Sequence, residues 1–388
     1  GTFYISSGVY PGAPSYTVWR EGSNYFAKDV NGMLKYSGTN ASLIIQNCID
    51  VLTDGGKIFL KKDTYDIGST TLTFLKGIKL EIDFQKSALT SSVSTTPAIN
   101  MSGDAGGNLG VTLKNLFLVK SGDKGTSIGI LIQYAHRYSR LENICVVGFK
   151  QGFVIRNNWI FNCYDLRAYN CSDGLTICGA CNNFGLYGFM AEVCDTGINI
   201  LAQTSHGILI ENACVEGSTG NDVPVKIGGA RDVTFINLYI EENITKNLLQ
   251  IAGNVRNVRI INPFLKGGYR GIFINGDVAN IVIDTPYIQM CTRGLEIGGG
   301  TNIKVICPKY EDCVGYTGLT ENSGTTGAIA SGATVSHGLA GTPTSVIITP
   351  AETGLTDIYV SAIAATTFTI TYAGGGTHVF YWYAEYKP

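Results

Sequence analysis

The chain reads Gly129-Ile-Leu-Ile132, Gly152-Phe-Val-Ile155, Gly174-Leu-Thr-Ile177, Gly197-Ile-Asn-Ile200, Pro224-Val-Lys-Ile227, Leu248-Leu-Gln-Ile251, Gly271-Ile-Phe-Ile274 and Gly294-Leu-Glu-Ile297. Successive copies begin 23, 22, 23, 27, 24, 23 and 23 residues apart. The fourth position is Ile in every copy, the second is apolar and the third is free. That is period-2 alternation, so each copy is a short strand with one buried face. One repeat cannot bury its own apolar face, but repeats stacked at about 4.8 Å can. The pattern predicts an all-β chain wound into a parallel β-helix, with coils legible from about residue 110 to about 313. A polar residue at Ile200 or Ile227 is expected to be costly.

A second register runs in phase. Asn115, Asn143, Asn212, Asn237 and Asn262 recur inside apolar strands, and Asp165, Gly188, Thr285 and Cys307 fall at the matching positions. Asn tolerates left-handed backbone, so this register predicts a sharp turn between two short strands. Each repeat then holds three strands.

Composition agrees and narrows the function. Among 388 residues, 28 Lys+Arg and 30 Asp+Glu give a net charge of -2, which supplies no attraction for nucleic acid or an anionic bilayer. No apolar stretch is long enough for a transmembrane helix. The stretch from Gly1 does not read as a basic-then-apolar leader, so any signal peptide is expected to have been removed or never to have been there. Eleven Cys is an odd number. Cys178-Gly-Ala-Cys181 has zinc-knuckle spacing, with Cys163, Cys171 and Cys194 nearby. The competing reading makes the thiols small hydrophobes, because Cys171, Cys194, Cys291 and Cys313 share one register of the repeat.

Ahead of the repeat, Ser42–Leu52 is apolar at helical spacing behind Thr39-Asn40. It contains Ile45-Gln-Asn-Cys-Ile-Asp50 and is followed by GGKIFLKKDTY from Gly55. Over about 45 residues this resembles the front end of pectate-lyase-like, right-handed parallel β-helices, including phage tailspikes and many glycoside hydrolases. Asp63 stands where that pattern has Gly. The resemblance implies a capping helix at the head of a single-stranded right-handed β-helix. The expected organisation is a β-hairpin segment at 1–38, the β-helix with its cap helix at 39–313, a linker at 314–327, and a small β-sandwich at 328–388. The last segment carries four alternating strands, around Ser345–Thr349, Ile358–Ile363, Thr367–Tyr372 and Val379–Tyr386. Its Tyr381, Trp382 and Tyr383 are either sugar-stacking rings or a core strand.

The outward columns carry the chemistry. Four residues past the turn they read Val119, Val147, Tyr169, Glu192, Glu216, Glu241, Lys266, Gln289 and Glu311. Two residues past it they read Phe117, Cys145, Arg167, Met190, Cys214, Tyr239, Phe264, Tyr287 and Lys309. The next short turn adds Asp173, Asp195 and Asp222, then Lys246, Arg270 and Arg293. Glycoside hydrolysis needs one carboxyl that gives a proton and one that stays ionised. Stacked acids push one another's pKa up, unless a cation or Lys246 and Arg270 compensate. Glu192, Asp195, Glu216, Glu241 and Asp173 are therefore the catalytic candidates. Tyr239, Phe264, Tyr287, His206, Arg167, Tyr169, Lys246, Arg270 and Asp222 are the substrate-binding candidates. Asn170-Cys-Ser-Asp173-Gly and Asp195-Thr-Gly also resemble the strand-entry acids of polygalacturonases, although Thr196 replaces the second acid of the pair. The expectation is an endo-acting, polysaccharide-degrading glycoside hydrolase that is secreted or virion-borne. It takes no cofactor and no metal, and assembly into a homotrimer is left open. Two alternatives stand beside it: a polysaccharide lyase with Ca2+ in the acidic cluster, and a glycan-binding adhesin or tail protein without catalysis.

Overall fold

The computed structural model describes residues 13–75, 79–103, 110–135, 139–201, 204–218, 222–242, 245–313, 316–317, 321–339 and 342–386. The chain divides into two compact units, residues 1–225 and 226–388. No helix among the described residues is long and apolar enough to cross a membrane.

The first unit opens with an antiparallel pair, Tyr16–Glu21 with Asn24–Asp29, turning at Gly22. The strand Tyr16–Glu21 also runs parallel to Gly56–Leu60, which ties the hairpin to the first coil. The expected helix is Ala41–Asp50. Asn40 caps it, its side-chain oxygen accepting from the Leu43 amide at 3.1 Å. Ile44, Ile45, Cys48 and Ile49 are its buried face.

Parallel ladders follow. One stacks Gly110–Lys120, Arg140–Val147, Trp159–Tyr169, Asn182–Glu192 and His206–Glu216. The other stacks Ile128–Gln133, Gln151–Arg156, Asp173–Cys178 and Thr196–Leu201. Ile132, Ile155, Ile177 and Ile200 are register partners coil by coil, each 0% exposed. Each rung contributes about 1.5–3 kcal/mol of burial. The Gly that opens the repeat has a steric cause. A Cβ on Gly152 would lie 2.6 Å from the carbonyl oxygen of Gly174, and one on Gly174 would lie 2.7 Å from that of Gly197.

In the second unit the later coils resolve into three strands each, for example Arg270–Asn275, Val278–Asp284 and Tyr287–Gln289, whereas Val225–Ile236 and Asn247–Ile261 each run the first two together. Ile251, Ile274 and Ile297 continue in register. All nine residues of the turn register have positive φ, from 47° at Cys307 to 73° at Gly188. The side chains also bond along the stack: Asn143 donates to Asn115 at 2.7 Å, and Asn115 to Asp83 at 2.9 Å. The second unit has another ladder of this kind, Asn302 to Asn280 to Asn257 to Asp232, at 2.7, 2.9 and 2.8 Å.

Beyond the coils, six strands make two three-stranded sheets. One is Glu321–Thr325, Phe380–Glu385 and Ser345–Pro350; the other is Ala333–Ser336, Thr367–Ala373 and Thr356–Ile363. They meet through Phe368 against Trp382, ring centroids 5.4 Å apart. The sequence suggested four strands. The stretch read as a linker supplies one of the two others, Glu321–Thr325. Its Gly324 is demanded by packing, since a Cβ there would sit 2.9 Å from the Trp382 indole. The result is a right-handed parallel β-helix with an N-terminal capping helix and a small C-terminal β-sandwich.

Candidate functional site

The left-handed turn bends each coil of the first unit so that the outward side chains two residues later face a concave corner. The corner is a groove of about 540 Å³. One wall is the turn register itself, Asn115, Asn143, Asp165, Gly188 and Asn212. The other is Phe117, Cys145, Arg167, Met190 and Cys214, which stand opposite one another in consecutive strands. Gly188 opens the first wall: a Cβ there would be 2.7 Å from Asp165 Oδ1, so the aspartate side chain lies over the glycine.

Two carboxylates lie beyond the groove wall, each two residues past one of its side chains, Met190 and Cys214, and neither is itself a lining residue. Glu192 and Glu216 are direct Cα partners in adjacent coils, and Tyr169 precedes them in the same column. The Arg167 guanidinium, from the groove wall, donates to Glu192 Oε2 at 2.5 Å. Glu192 in turn raises the arginine's pKa. Cys214, also on the wall, donates its Sγ–H to Glu216 Oε1 at 3.2 Å. The groove side thus holds a cation-paired carboxylate next to one that accepts from a thiol.

Other candidates lie apart from this glutamate pair. Asp173 is the register partner of Thr196, not of Asp195, which lies one residue short of the strand. The two aspartates therefore do not stack as a column. Asp222 Oδ1 accepts from the Val223 amide at 2.9 Å. His206 begins its strand, opposite Asn182 and six residues before the turn, so it is not beside Glu216. Cys178 and Cys181 were one reading of a metal site. The Cys181 thiol points at the carbonyls of Ile155 and Cys178, and burial pushes its pKa up to about 11. Among the described residues no group of three or more His, Cys, Asp or Glu could hold a metal ion.

In the second unit the same outward registers are filled by contacts among themselves. Glu241 faces Lys266, whose Nζ donates to Oε1 at 2.6 Å, and the Tyr239 hydroxyl donates to Oε2. Lys266 first and Tyr239 second hold the Glu241 carboxyl below the ordinary glutamate range. The expected upward shift from neighbouring acids is not what this residue shows. Tyr239 and Phe264 stack with centroids 5.0 Å apart, Tyr287 meets Phe264 edge-on at 5.2 Å, and Lys309 lies 4.2 Å over Tyr287.

Arg270 does not serve as counter-charge to the glutamate column. It stands in register with Arg293, and both guanidiniums converge on Glu296. Lys246 is exposed, one residue before the strand that faces Arg270. Sequence reading missed Glu296 because it occupies the free third position of the repeat. It missed the groove because the signal was a break, Asp165 and Gly188, in a register otherwise read as turn residues.

The architecture is that of a right-handed parallel β-helix. Among solved structures the chain is similar to ORF18 of Geobacillus virus E2, at 14% identity over 87% of this chain and 74% of that one, with a TM-score of 0.63. Weaker likenesses include the enzymatically active domain of tailspike protein 2 of bacteriophage CBA120, 10% identical over 92% and 69% of the two chains, TM-score 0.49. Another is the tailspike protein of Acinetobacter baumannii phage AM24, 11% identical over 89% and 80%, TM-score 0.45. No protein-family model matches the sequence, and no curated protein matches it.

Proposed function

We propose that the protein is an endo-acting glycoside hydrolase that lays a polysaccharide in the first unit's groove and cuts it with Glu192 and Glu216. The observation that carries this is the pairing of those two carboxylates in adjacent coils beside an open groove. Adjacent coils are about 4.8 Å apart. That spacing suits the roughly 5–5.5 Å of a retaining pair, where one carboxylate attacks the sugar and the other protonates the leaving oxygen. The Arg167 contact suits Glu192 to the anionic, attacking role. Glu216, whose contact is a thiol, is then the proton donor. Tyr169 and Arg167 would orient the sugar, with Asp165 hydrogen-bonding its hydroxyls. Asp173, Asp195, Asp222 and His206 would line the approach of a longer chain. Such a polymer meets the protein outside cells, so the setting is extracellular or virion-borne. No cofactor enters this chemistry.

The test is a polysaccharide screen with mass analysis of products. Hydrolysis adds one water per cut, makes new reducing ends and survives chelation. Unsaturated products absorbing in the ultraviolet, lost with a chelator, would transfer the site to the lyase reading. Binding without any cleavage would leave only the adhesin.

A further inference from the structure

The hydrogen-bonded ladder of the turn register breaks inside the groove. Two acids elsewhere head ladders of this kind, and the Asn of the next coil satisfies each: Asn115 donates to Asp83 at 2.9 Å and Asn257 to Asp232 at 2.8 Å. Asp83 also accepts from the Gln85 amide at 3.0 Å. Asp165 has the same left-handed backbone, with φ of 51°, but its partner in the next coil is Gly188, which has no side chain to donate. In the preceding coil Asn143 gives its amide to Asn115. A carboxylate at position 165 has no hydrogen to offer the Asn143 carbonyl in return. Among the described residues nothing donates to Asn143 Oδ1 or to either Asp165 oxygen. Three acceptor atoms thus stand unmatched on residues that line the groove.

Gly188 is what leaves them open. A Cβ there would lie 2.7 Å from Asp165 Oδ1. The backbone does not demand glycine at its φ of 73°, because Asn holds left-handed backbone at five other places in this register. A ligand that completes the ladder must bring donors. The charged side chains of the lining are Lys86, Asp165 and Arg167, with Glu192 and Glu216 beyond it. Arg167 is held by Glu192, and Lys86 lies three coils from Asp165. An anion would meet the Asp165 and Glu216 carboxylates, and a cation would sit beside the Arg167 guanidinium. Neutral hydroxyls meet no like charge, and two of them on adjacent carbons match the paired oxygens of a carboxylate. Phe117 and Met190 on the other wall give the C–H face of such a ring an apolar contact.

We propose that this break is the specificity-determining subsite of the groove, where Asp165 grips two adjacent free hydroxyls of a neutral sugar residue. The inference rests on the groove being the sugar site of the proposed function, but not on cleavage. The test is affinity electrophoresis of the full chain in native gels containing dextran, galactomannan or cationic glycol chitosan, each read against a gel without polymer. Dextran or galactomannan is expected to retard the wild type, and the same polymer after periodate cleavage of its diols and borohydride reduction is not. Asp165→Asn and Gly188→Asn both let the ladder close. Each should weaken retardation at least about fivefold without lowering the melting temperature. Asp232→Asn makes the same charge change at an acid already satisfied and should migrate as the wild type. Cys145→Trp, filling the groove from its wall, should abolish retardation. The proposal is overturned if neither neutral polymer retards the wild type, if the periodate-treated polymer retards it equally, or if glycol chitosan alone does. If Cys145→Trp abolishes retardation while Asp165→Asn and Gly188→Asn leave it intact, the diol subsite falls and the groove remains the sugar site. If Cys145→Trp changes nothing, the groove falls as the sugar site and the subsite with it.

Discussion

Two stretches of one repeat use the same outward registers in opposite ways. In the first unit the wall two residues past the turn is Phe117, Cys145, Arg167, Met190 and Cys214, unlike side chains that leave a groove of about 540 Å³. In the second unit that register holds Tyr239, Phe264 and Tyr287 packed on one another, with Lys309 over the last ring. The difference teaches where function can reside on a solenoid. A stack brings equivalent positions together whatever they contain. Complementary neighbours close on each other and become scaffold; mismatched neighbours leave space for a ligand.

The glutamates give the sharpest way to break this contrast. Glu192→Gln is expected to reduce kcat by 10³-fold or more, roughly 4 kcal/mol of barrier, on any polysaccharide the wild type cuts. Glu241→Gln should cost less than about tenfold, since Lys266 and Tyr239 occupy that carboxylate. Steady-state kinetics on both variants decides. Equal losses would mean that the two columns work as one site and the division is wrong.

Stability should not respect the division at all. Ile200→Asn and Ile251→Asn both place an amide where the native side chain is 0% exposed. Each is expected to destabilise by about 3–5 kcal/mol, through lost packing plus an unsatisfied polar group. Denaturant melts of the two variants should match within about 1 kcal/mol. If either were tolerated, its rung would not be part of the common core.

Much of this was legible before any coordinates. The Ile rungs, the positive-φ register and both outward columns follow from counting residues, because a solenoid turns a linear period into vertical contact. Even Thr285 and Cys307 were assigned to the turn by phase alone and have φ of 48° and 47°. What phase could not give was side-chain direction. Phase places Arg270 in its turn, and only packing decides that it joins Arg293 on Glu296. Likewise the slip that separates Asp173 from Asp195 is a single residue in a short turn, below what periodicity resolves. The Asp232–Asn302 ladder was missed because those positions fall where the repeat had no apolar marker.

Thr285 offers a smaller and opposite effect. A β-branched residue in left-handed backbone is strained, and its hydroxyl donates to Asn262. Thr285→Asn keeps a donor and relieves the strain, so the melting midpoint should rise, by about 1 kcal/mol of stability. The same reasoning predicts a loss for Asn143→Thr in the first unit. A turn register that behaves alike in both units confines the functional difference to the outward side chains.

The finest distinction is one of pH. Glu296 sits between stacked arginines, and Arg270 first, then Arg293, hold its carboxyl below the ordinary glutamate range. A carboxyl with a depressed folded pKa contributes stability that is complete above its unfolded value of about 4.3 and is lost as pH falls through the folded value. Glu296→Gln leaves two guanidiniums in register without their counter-charge, so it should melt below wild type by a constant margin from pH 6 to 8. Below about pH 4 the wild type protonates the same carboxyl and the margin should shrink. A margin that stays level or widens on acidification would mean that Glu296 holds the arginines by geometry rather than by charge. The second unit's outward face would then owe its closure to packing alone.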